Sequence, residues 1–211
     1  MDESSKSVAP PDARRRRERA VSRARRELIL EAAREAFAEH GLAGASLREI
    51  ARRAGYTPGA LYSYFDSKEA IYGALLGESL ERLNTAVDAA LAGATGPRDR
   101  LRRAARAFYG FYRDYPRELD LGFYLFNGVR PMGLTPALNE ALNARLRDAL
   151  SPAEVALTEM GLPAAHAVTE TTMLFAQMVG LLVLAHTGRI RLFGQQPEAV
   201  LEDYLARFEG A

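Results

Sequence analysis

The sequence predicts an all-α fold in two parts, a short N-terminal three-helix module and a larger C-terminal helical domain. Three observations carry this. Helix-forming residues are abundant while alternating β-branched strand patterns are absent. Helix-start signals cluster between residues 46 and 72, and from about Glu78 onward long helical patterns are punctuated by Gly and Pro. At 211 residues the chain accommodates one module of about 50 residues and one larger domain. The expected boundaries are a disordered basic arm over 1–21, the three-helix module over 22–70 and a helical domain over 71–211.

The first helix carries Ile29, Ala32, Ala33 and Phe37 on one face and breaks at His40-Gly41. Ser46 and Glu49 then fit a capping box. The serine oxygen accepts from a first-turn N–H, while the carboxylate reaches back to the cap's own amide. A helix is predicted from Leu47, with Leu47, Ile50, Ala51 and Ala54 facing inward and Arg48, Arg52 and Arg53 outward. Gly55 ends it, because glycine enters the left-handed conformation without a Cβ clash. Thr57 and Pro58 restart the chain as N-cap and first helical residue. This next helix should run to about Phe65, with Leu61 and Phe65 inside and Pro58, Gly59, Tyr62, Ser63 and Tyr64 outside. Asp66 and Glu69 form another cap-like pair, so a further helix starts near Ser67 and continues through Lys68, Ile71, Leu75 and Leu76.

Two helices about a glycine turn are a helix-turn-helix, and the outer face of the second suits a duplex. It offers hydroxyls, a surface glycine and no long apolar side chain, which is what close approach to phosphates requires. Charge agrees: residues 1–70 hold 14 Lys and Arg against 11 Asp and Glu, whereas residues 71–211 hold 14 against 16. The excess is concentrated in Arg14, Arg15, Arg16, Arg17, Arg19, Arg23, Arg25 and Arg26, opposed between residues 12 and 26 only by Asp12 and Glu18. Such a run is either a solvated tail or a source of phosphate contacts.

Residues 26–76, RELILEAAREAFAEHGLAGASLREIARRAGYTPGALYSYFDSKEAIYGALL, resemble the N-terminal domain of the TetR/AcrR family of transcriptional regulators. In that family two aromatics and a histidine usually follow the leucine equivalent to Leu61; here the run is Tyr62-Ser63-Tyr64. The resemblance implies a homodimer bound to a double-stranded DNA operator. It assigns Thr57 and Tyr62 to phosphates, Gly59 to close backbone approach, and Ser63 and Tyr64 to base edges or phosphate. Lys68 would hold a phosphate from the side, Ser46 and Arg48 would touch the opposite backbone, and Pro58 and Ala60 would pack on thymine methyls.

The second part reads as helices over Leu80–Leu91, Pro97–Tyr115 and Pro116–Asn127. After a loop at Pro131–Pro136 come Pro136–Met160, with Ser151-Pro152 as a candidate split, then Pro163–Thr187 and Pro197–Phe208. Aromatics concentrate between Phe108 and Phe126. With a few hydroxyls they suit a small hydrophobic or aromatic effector, with Phe111, Tyr112, Phe123, Tyr124, Met173 and Gln177 as candidate lining. The Pro163–Thr187 helix is apolar on two sides and therefore needs two partners. Leu174, Met178 and Leu181, with Val200, Tyr204 and Phe208 of the last helix, are the candidate dimer interface.

Other classes fit poorly. With no cysteine there is no disulfide framework or thiolate metal site, and His40, His166 and His186 share no ligand spacing. No nucleophile turn or phosphate-binding glycine loop is present, so neither a catalytic site, a metal nor a cofactor is expected. The N-terminus lacks a signal-peptide core, and Met173–Ala185 is short for a bilayer span; a cytoplasmic protein with no membrane partner is expected. A ligand-responsive regulator, more readily a repressor than an activator, is the reading. A helical ligand carrier or enzyme without DNA binding is the alternative.

Overall fold

The computed structural model describes residues 11–123 and 134–208, and every regular element among them is helical. Contacts divide the chain into two units, Met1–Leu75 and Leu76–Ala211.

In the first unit, α1 spans Pro11–Gly44, interrupted at Gly41 (φ 68°, ψ 173°). Residues 11–21, expected within a structureless arm, are its opening turns. Arginine is a good helix former, and Arg14 pairs with Glu18 one turn on (2.9 Å), so the charge run does not stop the helix. Helices α2 (Leu47–Arg53) and α3 (Pro58–Tyr62) follow. Helix α3 is shorter than predicted: Ser63 is already its C-cap, although Phe65 N–H still donates to Leu61 C=O (3.1 Å). Ser67, one residue beyond the predicted cap, accepts from Ala70 N–H (3.0 Å) at the head of α4 (Lys68–Leu91). Nothing stronger than Gly77 interrupts the apolar pattern, so the two helices expected over this stretch are one. The unit's core is built from Ile29, Ala33 and Phe37 of α1, Ile50 of α2, Leu61 of α3, and Ile71 and Tyr72 of α4, all nearly or fully buried. Phe37 and Tyr72 meet edge to face at 6.0 Å.

In the second unit, Gly93 (φ 73°) follows the end of α4, and α5 spans Pro97–Asp114. Short α6 (Pro116–Gly122) precedes α7 (Pro136–Glu159), which continues through Pro152 at the loss of one backbone hydrogen bond. Helix α8 (Ala164–His186) packs on α5, α7 and α9 (Pro197–Ala206), with a 3-10 helix at Arg189–Phe193 between the last two. Helix α8 is long and apolar enough to cross a bilayer, more so than the shorter run read from sequence. Its polar Thr171 is buried, however, and its packed side belongs to this unit's core.

That packing corrects the dimer assignment. Leu174, Met178 and Leu181 are 1%, 1% and 5% exposed, so they fill this unit's own core. Tyr204 is buried as well, and Val200 and Phe208 are half-buried. Periodicity shows that α8 has two apolar sides without revealing which is inner, and the longer side chains took the inner one. Its outward residues are smaller: Ala165, Thr169, Thr172, Ala176 and Gly180, with Val168 and Met173 beside them.

Candidate nucleic-acid interface

Local capping fixes the presentation of α2 and α3. Ser46 Oγ accepts from Glu49 N–H (3.2 Å), and Thr57 Oγ1 accepts from Ala60 N–H (3.2 Å) behind Pro58. Between them, Gly55 (φ 75°) donates to Arg52 C=O while Tyr56 N–H reaches Ala51 C=O (2.8 Å). This pair of bonds is a Schellman closure, which needs the left-handed residue that glycine supplies.

The carboxylate half of the predicted capping box is absent. Glu49 instead accepts from Arg52 Nε (3.0 Å) and Nη2 (2.8 Å) and from Arg53 Nε (2.7 Å), and Arg53 Nη2 reaches Glu39 of α1 (2.6 Å). The Arg52 and Arg53 guanidiniums hold the Glu49 carboxyl down at about 2, against an ordinary 4.5. A carboxyl whose folded pKa lies below its unfolded one contributes stability fully above the unfolded value and loses it as pH falls through the folded one. Thermal melts followed by helical circular dichroism should therefore show wild type losing stability between about pH 4.5 and 2 more steeply than Glu49→Gln.

Above this frame, Thr57, Pro58, Gly59, Tyr62 and Ser63 are all exposed, Ala60 is half-buried and Leu61 is fully buried beneath them. Tyr62 is 54% exposed, a large side chain with an apolar body left in solvent. Ser63 Oγ donates to Ala60 C=O (2.7 Å), which leaves its lone pairs as acceptors. Ser46 and Arg48 are exposed at the head of α2, and Arg48 has no carboxylate partner among the described residues.

Two sequence-assigned residues stand differently. Tyr64 is half-buried and faces Arg25, whose guanidinium pKa it raises. Lys68 Nζ donates to the carbonyls of Leu42 (2.8 Å), Ala43 (3.2 Å) and Ala45 (3.2 Å). An ammonium has three donors, so none remains for a phosphate. The assignment failed because these acceptors lie 23 to 26 residues away, where no local pattern announces them.

In the second unit the aromatic assignment divides. Tyr112 and Phe123 meet edge to face at 5.5 Å and line a cavity of about 50 Å³ together with Leu76, Leu142, Asn139 and Asn143. Phe111 is buried against Tyr112 and Tyr115. Gln177 is half-buried, Met173 is half exposed and so lines no interior, and Tyr124 lies outside the described residues. Sequence reasoning missed Phe175, which touches Phe108 and Phe123, and the Asn139/Asn143 pair. Two asparagines four apart on an otherwise Leu- and Ala-rich helix were the available signal. Next to this cluster, buried Glu118 pairs with Arg82, whose guanidinium lies over the Phe111 and Tyr115 rings (5.9 and 5.7 Å). Burial, with Glu118 nearby, pushes the Tyr112 phenol far above its usual pKa, so it stays a neutral donor.

A capped helix pair around a glycine turn, followed in the chain by a helical unit with an aromatic interior, defines a helix-turn-helix module. Residues 29–75 match the family of bacterial regulatory proteins described as the tetR family. The HTH-type transcriptional activator FasR of Mycolicibacterium smegmatis is 39% identical over 102 residues, covering 48% of this chain and 47% of FasR. The HTH-type transcriptional repressor AcnR of Corynebacterium diphtheriae is 42% identical over 59 residues, covering 28% and 31%. The matches thus span about half, or less, of these relatives' lengths. Among solved structures, FadR of Bacillus subtilis in complex with stearoyl-CoA superposes with a TM-score of 0.66 at 19% identity, over 86% of this chain and 96% of FadR, a likeness of fold. The resemblance to the TetR/AcrR family of transcriptional regulators is thus borne out over residues 29–75, the stretch that holds the helix-turn-helix.

Proposed function

We propose that this protein is a homodimeric, ligand-responsive transcriptional regulator that binds a palindromic operator in the cytoplasm and leaves it when a small apolar effector occupies the second unit. The carrying observation is the surface of α3, where exposed hydroxyls and an exposed glycine stand on a helix whose inward residue, Leu61, is fully buried. Two copies are needed to present two such helices to half-sites on one face of a duplex. The outward small-residue side of α8 is the better candidate for that pairing, because the residues first assigned to it are spent inside the unit. Effector and operator then oppose each other equally: whatever factor the effector takes from DNA affinity, DNA takes from effector affinity.

FasR is named an activator and AcnR a repressor, and repression is the reading we favour here. The aromatic cluster around Tyr112 and Phe123 supports an apolar effector, and stearoyl-CoA, present in the FadR structure, is the first compound to try. The cavity of about 50 Å³ is far below the ~300–1,000 Å³ typical of ligand pockets, so occupancy requires its lining to move.

Fluorescence anisotropy against duplexes from the region upstream of the gene tests the reading. Salt-sensitive binding to one palindrome, far tighter than to shuffled DNA, is expected; equal affinity for both would sink it. Tyr62→Phe, which removes one hydroxyl, should weaken operator binding by about 0.5–1.5 kcal/mol with dimerisation unchanged by sedimentation.

A further inference from the structure

We infer that the N-terminal turns of α1 are a second phosphate-binding surface, in which Arg14 and Arg17 receive the backbone of double-stranded DNA beside the helix-turn-helix. This rests on the regulator reading above. Arg14, Arg17, Glu18, Val21, Ser22 and Arg25 form one wall of a cleft of about 400 Å³, and Tyr64 forms the other. Tyr64 lies two residues past Tyr62, so the cleft opens directly beside the exposed face of α3. Arg25 faces Tyr64 across the cleft, which makes Arg25 a positioning residue.

Charge and form both select the occupant. Eight arginines between residues 14 and 26 face one carboxylate, Glu18, itself already paired with Arg14. At about 1.5 Å rise per residue, the eleven steps from Arg14 to Arg25 cover roughly 16 Å. One DNA strand carries about four or five phosphates over that length. Apart from alanines, Val21 is the sole apolar residue between Asp12 and Glu27, so there is no stripe to bury in a lipid surface. Because these residues are helical, the arginines are held in place rather than recruited from a loose arm.

The test compares wild type with Arg14→Gln/Arg17→Gln on an operator duplex and on a shuffled duplex of equal length, across a series of salt concentrations. Each neutralised phosphate contributes about 0.9 to the slope of log affinity against log salt. The double variant should flatten that slope by about 1.8 on both duplexes while keeping wild-type helicity and the same preference for operator over shuffled DNA. Glutamine sustains a helix nearly as well as arginine, and circular dichroism verifies it. An unchanged slope on both duplexes overturns the inference even if operator preference is intact. Loss of operator preference in wild type overturns the regulator reading instead, and the slope on shuffled DNA still decides the role of the arginines.

Discussion

Gly59→Ala should leave the protein folded and cost it most of its operator affinity. A methyl placed on Gly59 would meet no heavy atom within 4 Å, and its backbone is not in the left-handed region, so the fold does not require glycine there. Alanine in a helix is better than glycine by up to about 1 kcal/mol, less in a first turn such as this, so the melting temperature should hold or rise slightly. Gly55 is the contrast: there φ is 75°, and any side chain is strained whatever the space. What remains for Gly59 is the surface. If α3 lies with its backbone against a duplex, the methyl occupies space the DNA needs. A loss of roughly 1–3 kcal/mol, or about 5- to 150-fold, is expected in operator binding, similar to a mismatched base pair. Anisotropy and thermal melts on the same preparation decide it. Unaltered operator affinity would place α3 away from the groove.

Much of this surface was legible because its determinants are local. The Ser46 and Thr57 caps, the Gly55 turn and the inward Ile50 and Leu61 each depend on residues within four positions, and the structure has them. Illegible features depend on partners distant in sequence or on a choice between equivalent faces. Glu49 chose Arg52 and Arg53 over the cap amide because two guanidiniums outbid one N–H. Nothing in a 3.6-residue period says which apolar side of α8 faces home, and Leu174, Met178 and Leu181 were assigned outward for that reason. The arginine run was ambiguous in the same way. Composition reads as a tail, whereas helix propensity and the stripe that follows read as an extension of α1, and only coordinates separate them.

Lys68→Met should destabilise the first unit by about 1.5–3 kcal/mol, the range for hydrogen bonds to a charged group, while leaving the salt slope of DNA binding unchanged. Its ammonium sits where α1 ends, against the carbonyls of Leu42, Ala43 and Ala45, and a helix terminus of that polarity favours a cation. These acceptors belong to the end of α1 and the connection to α2, so one side chain at the head of α4 anchors both. Methionine keeps an apolar stem of similar length and removes only the donors and the charge. Were Lys68 a phosphate ligand, the same substitution would spare stability and flatten the slope by about 0.9. Urea unfolding and salt-dependent anisotropy therefore give opposite patterns for the two roles. Lys68→Arg should fail to restore stability, because a planar guanidinium cannot aim three donors at three convergent carbonyls as a tetrahedral ammonium does. Restoration by arginine would mean that charge alone, and not this geometry, holds the end of α1.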